Sequence, residues 1–195
     1  DYLFGDEGND ILFGGNGADV ISGGADSDNL YGGAGTDTLD GGDGLDYLYG
    51  GVDGDILYGG DARDTLHGEA GNDSLYGEEG DDFIYGEEGN DLLSGGNGRD
   101  TLSGGDGDDI LRGDSGSDDY LLGGNGNDTY YFGSGDGSTT INNEDTDNGY
   151  DVLEFLPGIE STDIVVRKDS SKDLTLTILS EGSTIYISNY FDDIR

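Results

Sequence analysis

The chain has 195 residues, including 41 glycines, one proline and no cysteine, and its 45 acidic against 7 basic side chains give a formal net charge of -38. That charge repels the phosphates of nucleic acid and of anionic membrane surfaces, and it selects cations as partners. Lack of cysteine excludes disulfides and thiolate metal sites, and no apolar run approaches the roughly 20 residues of a transmembrane helix. A hydrophobic content of 31% beside such a charge is also the composition of a disordered chain. An extracellular location stays open without disulfides, because a bound metal can staple a secreted domain instead. The sequence starts at Asp1 in the lead-in to a repeat, with no signal peptide and no methionine, and reads as a fragment of something longer.

From Gly5 the sequence advances in nines: GDEGNDILF, GGNGADVIS, GGADSDNLY, GGAGTDTLD, GGDGLDYLY, GGVDGDILY, GGDARDTLH, GEAGNDSLY, GEEGDDFIY, GEEGNDLLS, GGNGRDTLS and GGDGDDILR. Two looser units follow, GDSGSDDYLL with one extra residue and GGNGNDTYY. The first position is always glycine, and the eighth is leucine or isoleucine throughout the regular units. The sixth is aspartate in every unit: Asp10, Asp19, Asp28, Asp37, Asp46, Asp55, Asp64, Asp73, Asp82, Asp91, Asp100, Asp109, Asp118 and Asp128.

A period of nine with paired glycines cannot hold an apolar stripe at helical spacing. Each unit therefore reads as a glycine-rich turn, where glycine reaches positive φ, followed by a three-residue strand whose eighth position faces inward. Two units complete one coil. The expected fold is all-β, a parallel β-roll or β-helix solenoid of about 14 repeats, with two parallel sheets facing across a leucine core; seven coils about 4.8 Å apart would span roughly 33 Å. Residues 1–131 are the roll, and residues 132–195 a β-rich segment that caps it.

These repeats resemble the calcium-binding nonapeptide repeats, GGxGxDxUx, of the RTX (repeats-in-toxin) family, over residues 5–131. The resemblance implies calcium sites shared between turns. It also implies a secreted or cell-surface bacterial parent that leaves the cell unfolded through type I secretion machinery, the partner expected besides calcium itself.

The chemistry of the turns points to the same metal. They offer aspartate carboxylates and carbonyls left accessible by glycine, such as those of Gly15, Gly17, Gly33, Gly35, Gly42, Gly44, Gly96, Gly98, Gly105 and Gly107. With one histidine and no cysteine, zinc and copper lack their preferred donors. Calcium accepts six to eight oxygens in flexible geometry, whereas magnesium demands a stricter octahedron. One turn supplies too few ligands, so turns eighteen residues apart should share ions. One edge would stack Asp10, Asp28, Asp46, Asp64, Asp82, Asp100 and Asp118, and the other Asp19, Asp37, Asp55, Asp73, Asp91, Asp109 and Asp128. Carboxylates about 5 Å apart repel by roughly 3 kcal/mol at an effective dielectric of 20. Summed over about a dozen pairs, this exceeds the roughly 5–15 kcal/mol of a domain's stability. The metal-free chain is thus expected to be unfolded, and about 12 bound Ca²⁺ would bring the net charge to about -14.

Asp26, Asp53 and Ala62 replace the fourth-position glycine, and Arg63 beside Ala62 suggests weaker binding at the Asp64 turn unless Arg63 points to solvent. The extra residue within Gly113–Leu122 should bulge one coil, with Tyr120 in place of the core leucine. After Tyr131 the run FGSGDGSTTI resembles the exit of RTX rolls, with Thr139 where aspartate is expected. Within Asn142–Asp151 an acidic loop does not match EF-hand spacing and reads as solvated. DVLEF, DIVV, DLTLTIL and STIYISNYF read as strands, with a turn at Glu181-Gly182-Ser183. The resemblance implies a secretion signal at the extreme C-terminus of the parent protein, and this sequence is expected to stop short of it.

No catalytic residue is expected. His67 occupies an outward ninth position, no GxSxG elbow is present, and the carboxylates already have a metal role. Ninth positions on one sheet run Phe13, Tyr31, Tyr49, His67 and Tyr85, an aromatic ladder at coil spacing, with Tyr58 and Tyr76 on the other. Neighbour stacking that stabilises exposed strands is the first reading. The alternative is a surface or glycan contact of an adhesin through Phe13, Tyr31, Tyr49 and Tyr85.

Overall fold

The computed structural model describes residues 1–116, 118–143, 149–168, 174–180 and 182–188. It is a parallel β-solenoid of about eight coils. Every second strand, from Tyr2–Glu7 through Val20–Ala25 to Val152–Phe155, joins a nine-stranded parallel sheet. The alternate strands, from Ile11–Asn16 through Asn29–Ala34 to Thr139–Asn142, form the parallel part of an eleven-stranded sheet. Register advances by eighteen residues per coil, so that Leu30 pairs with Leu48 and Leu48 with Leu66.

The strands are longer than the three residues expected. Each regular strand has six, starting at the seventh position and continuing through the third position of the next unit, as in Asn29–Ala34. The paired glycines remain in the ladder, with Gly33 opposite Gly51. Alternation explains the burial: the eighth position and the following first-position glycine point inward, while the seventh and ninth point outward. From Ile21 through Leu111 every eighth-position side chain is fully buried, and together they form one continuous core.

The bulge in Gly113–Leu122 differs from the expectation at two residues. Gly98 still bridges Gly116, yet Leu102 pairs with Leu121 rather than with Tyr120. The extra residue therefore lies between Gly116 and the strand, and it moves every later position by one. Leu121 fills the core at 1% exposure, and Tyr120 faces outward.

Beyond Tyr131 the ladders continue. Val152–Phe155 adds a parallel strand to the first sheet, with Phe155 edge-on to Phe132 at 6.2 Å. On the second sheet, Thr184–Ser188 pairs parallel with Thr139–Asn142; Leu174–Ile178 and Ile164–Lys168 then add antiparallel strands. Leu176, Ile178, Ile185 and Ile187 are buried and join the core cluster. Residues 144–148 of the acidic loop, Glu181 of the expected turn and the segment 189–195 lie outside the described residues. Among the described residues no helix is long and apolar enough to cross a membrane.

Candidate metal centres

The invariant first glycine is dictated by packing rather than by φ. A Cβ on Gly41 would lie 2.5 Å from the Gly59 carbonyl oxygen and 2.6 Å from Oδ2 of Asp46. A carboxylate of the same unit and a carbonyl of the next coil thus converge on the space that the missing side chain leaves. Positive φ falls instead at the second and fourth positions, such as Gly42 at 99° and Gly44 at 152°. There Asp26, Asp53, Ala62, Glu69, Glu78 and Glu87 adopt the same left-handed conformation, at φ of 72–86°, despite the steric cost of a Cβ.

Sixth-position aspartates form two continuous columns. Each backbone N–H donates to Oδ1 of the aspartate one coil further on: Asp28 to Asp46 and Asp37 to Asp55 at 2.7 Å, and Asp64 to Asp82 at 2.8 Å. The same bond joins Asp10 to Asp28, Asp19 to Asp37, Asp73 to Asp91, Asp82 to Asp100 and Asp91 to Asp109. The second oxygen has a different fate. Oδ2 of Asp10, Asp19, Asp28, Asp37, Asp46, Asp55, Asp64, Asp73, Asp82, Asp91, Asp100, Asp109 and Asp119 is buried with no hydrogen-bond partner among the described residues.

Asp118 is the one expected column member that the structure replaces. Because the extra residue precedes it, Asp118 is exposed at φ 66°, while Asp119 is fully buried and accepts from the N–H of Asp100 at 3.0 Å. Two further members escaped the nonapeptide count. Asp151 accepts from the N–H of Asp128 at 2.9 Å, twenty-three residues on. Asp1 occupies the same register at the other end, its carbonyl accepting from Val20 at 3.0 Å. The signal for both was an aspartate two residues before a leucine, as in Asp151-Val152-Leu153 and Asp1-Tyr2-Leu3. Thr139 pairs with Asp119 and is buried, so its column ends on a hydroxyl.

Burial sets the electrostatics. Desolvation pushes the carboxyls of Asp46, Asp91 and Asp100 up to about 6, those of Asp55, Asp64, Asp82 and Asp119 to about 7, and that of Asp109 to about 8. The backbone hydrogen bond to Oδ1 opposes the shift in each, and neighbouring aspartates of the column reinforce it. Buried anions with an unpartnered oxygen are costly unless a cation meets them.

The donor set fits calcium. Among the described residues no three carboxylate or imidazole side chains gather at one point, so six or more ligands are reached only with backbone oxygens, which suits a hard cation. The carbonyl oxygens of Gly15, Gly17, Gly33, Gly42, Gly98, Gly105 and Gly107 each end within 2.6 Å of the Cβ position of the glycine one coil on. After Gly35, Gly44 and Gly96 the next coil instead carries Asp53, Ala62 and Asp114, all at positive φ. These carbonyls and the sixth-position Oδ2 atoms are the groups that would hold the ions.

At the fifth position a second ladder runs along the edge. The side-chain oxygen of Asn72 accepts from the N–H of Asn90, Asn90 from Asp108, and Asp108 from Asn127, at 2.8–3.0 Å. On the opposite edge Arg63 and Arg99 flank Asp81, with guanidinium–carboxylate distances of 3.7 and 3.4 Å. Arg63 is more than half exposed and is turned along the edge toward Asp81.

Outward aromatics stack as expected. Phe13–Tyr31, Tyr31–Tyr49, Tyr49–His67 and His67–Tyr85 have ring centroids 4.7–5.0 Å apart and planes within 16°. His67 Nδ1 lies 2.7 Å from Glu87 Oε1. Tyr58–Tyr76 forms a shorter stack at 5.2 Å on the other sheet.

Fold and site together define a parallel β-solenoid whose stacked turns carry an all-oxygen donor set of buried aspartate carboxylates and backbone carbonyls. The model of the RTX calcium-binding nonapeptide repeat matches residues 1–30, 22–57, 58–93, 85–119 and 117–138. The chain belongs to this family, a structural calcium-binding module, and membership implies Ca²⁺ as its ligand. A search of curated proteins found no match.

Proposed function

We propose that this chain is a calcium-driven folding module of a larger exported protein. The observation that carries the reading is the pair of columns of buried aspartates, from Asp10 through Asp109 with an Oδ2 that has no hydrogen-bond partner among the described residues and lies with a first-position carbonyl of the next coil around the first glycine of its unit. The carboxylates Asp10, Asp19, Asp28, Asp37, Asp46, Asp55, Asp64, Asp73, Asp82, Asp91, Asp100, Asp109, Asp119 and Asp128 are the side-chain ligands, with carbonyls of the second and fourth positions. Up to about 12 ions would lie between coils, in line with calcium's preference for several oxygens per site. Bound Ca²⁺ supplies the positive charge that these columns lack. In metal-free solvent the chain is disordered; at extracellular calcium, in the range of sites with Kd of roughly 10⁻⁴–10⁻³ M, it folds.

RTX repeat domains occur typically in secreted bacterial proteins, and a folding switch of this kind suits type I secretion, in which the chain leaves unfolded and folds outside. Residues 132–195 cap the roll. The aromatic ladder stabilises the outer face, because its rings cover one another's faces and offer mainly edges to solvent.

Far-UV circular dichroism during a calcium titration of the metal-free chain tests the switch. A cooperative coil-to-β transition near millimolar calcium, absent with magnesium, is the expected result. Full β-structure in excess chelator would refute it.

A further inference from the structure

On the first sheet the outward ninth positions run Tyr58, Tyr76, Ser94, Arg112 and Tyr131, one per coil. Tyr58 and Tyr76 stack at 5.2 Å with planes 13° apart, and then a rung is missing: Ser94 has no ring. The next side chain in the column is Arg112, about 10 Å beyond Tyr76 at two strand spacings. A cavity of about 380 Å³ lies at this break, lined by Tyr76, Ser94, Arg112, Tyr131, Leu92 and Ile110, with Leu93 and Leu156 completing it. Its volume falls in the range of small-molecule pockets, roughly 300–1,000 Å³, and its walls are largely apolar.

We infer that this break is a binding slot for a small, uncharged planar aromatic molecule, which takes the place of the missing rung between Tyr76 and Arg112. Three observations select that class. The gap is two strand spacings wide, so one ring inserted midway would stack at the same spacing of about 5 Å as the ladder itself. One wall is a tyrosine ring not stacked on that side by any other ring among the described residues, and the other is a guanidinium, both partners for a π-face. The polar groups of the lining are already engaged outside it, Ser94 Oγ donating to Asp114 and Arg112 being ion-paired with the same carboxylate, so what the cavity offers a ligand is mainly apolar surface and the faces of Tyr76 and Arg112. The chain's charge, -38 without metal and still about -14 with about 12 bound Ca²⁺, disfavours anionic aromatics. This inference rests on the solenoid alone and not on the identity of the metal.

The test uses the folded chain in calcium with phenol and indole as probes, followed by aromatic NMR shifts and by titration. Binding with ring-current shifts at Tyr76 and at the Arg112 side chain is expected, each stacked face tightening Kd by about two- to tenfold. Cyclohexanol, equal in size but not flat, and benzoate, flat but anionic, should bind more weakly than phenol. Ser94→Tyr supplies the missing rung from the chain itself and should abolish binding while leaving the circular dichroism and calcium response intact. Absence of any Tyr76 shift in the unaltered chain would overturn the inference, whatever the variant does. So would equal binding of cyclohexanol, or retention of phenol by folded Ser94→Tyr.

Discussion

The backbone N–H of Asp46 donates to Oδ1 of Asp64 at 2.8 Å, one coil away, while Oδ2 of Asp64 is buried with no hydrogen-bond partner among the described residues. The two oxygens of one carboxylate thus differ: one holds the coil before it, and the other is the cation ligand in the proposed function. Asp64→Asn separates them, since the amide oxygen keeps the acceptor and the charge is lost. Without metal the folded state of the variant should be less disfavoured than that of the parent, because a buried anion is removed. In calcium it should be less stable and require more metal at the folding midpoint. Paired calcium titrations followed by circular dichroism check both signs.

Acid should mimic the metal in part. Burial raises the folded-state carboxyls of Asp46 to about 6, Asp55 to about 7 and Asp109 to about 8, from an ordinary value of 3.8. The folded state therefore holds protons that the unfolded state has released, and stability falls as pH rises through this window. Without metal the roll should be most stable below about pH 4, and the penalty should be complete above about pH 8. Far-UV circular dichroism in chelator at pH 4 and pH 8 reads the difference as β-content; more β-structure at pH 8 than at pH 4 would contradict the burial of these columns.

Gly41→Ala should be severe although Gly41 does not need positive φ. Its Cβ would fall 2.5 Å from the Gly59 carbonyl oxygen and 2.6 Å from Asp46 Oδ2. The expected cost is about 3 kcal/mol, at the upper end for overpacking, with loss of calcium response at the coils on either side. Chemical unfolding in saturating calcium reports the first effect and ion stoichiometry the second.

Ala62→Gly should act in the opposite direction. Ala62 holds φ of 86° in a turn where most units place glycine. Relief of the left-handed conformation should stabilise the calcium-loaded chain by about 1 kcal/mol, seen as a higher urea midpoint.

Tyr49→Ser removes the ring stacked on both Tyr31 and His67. A loss of about 2 kcal/mol is expected from two stacking contacts and the area they cover, with the calcium midpoint shifted only as far as that loss requires. A calcium affinity that collapses beyond it would mean the ladder is coupled to the turns.

Sequence alone determined the period, the sheet pairing and the cation chemistry of this protein. Glycine at the first position, aspartate at the sixth and leucine at the eighth recur at fixed intervals, and a solenoid repeats in space whatever repeats in the chain. Where the interval broke, tertiary structure decided. The extra residue before Asp119 is equally compatible in sequence with a bulge on either side of Asp118, and only the need to keep Leu121 in the core and Asp119 in the column selects one. Asp151 joins its column across a twenty-three-residue interval because Val152–Phe155 extends the first sheet. The reason for the first glycine was likewise spatial: the atoms it must avoid belong to a carboxylate five residues on and a carbonyl eighteen residues on, which approach only when the coils stack.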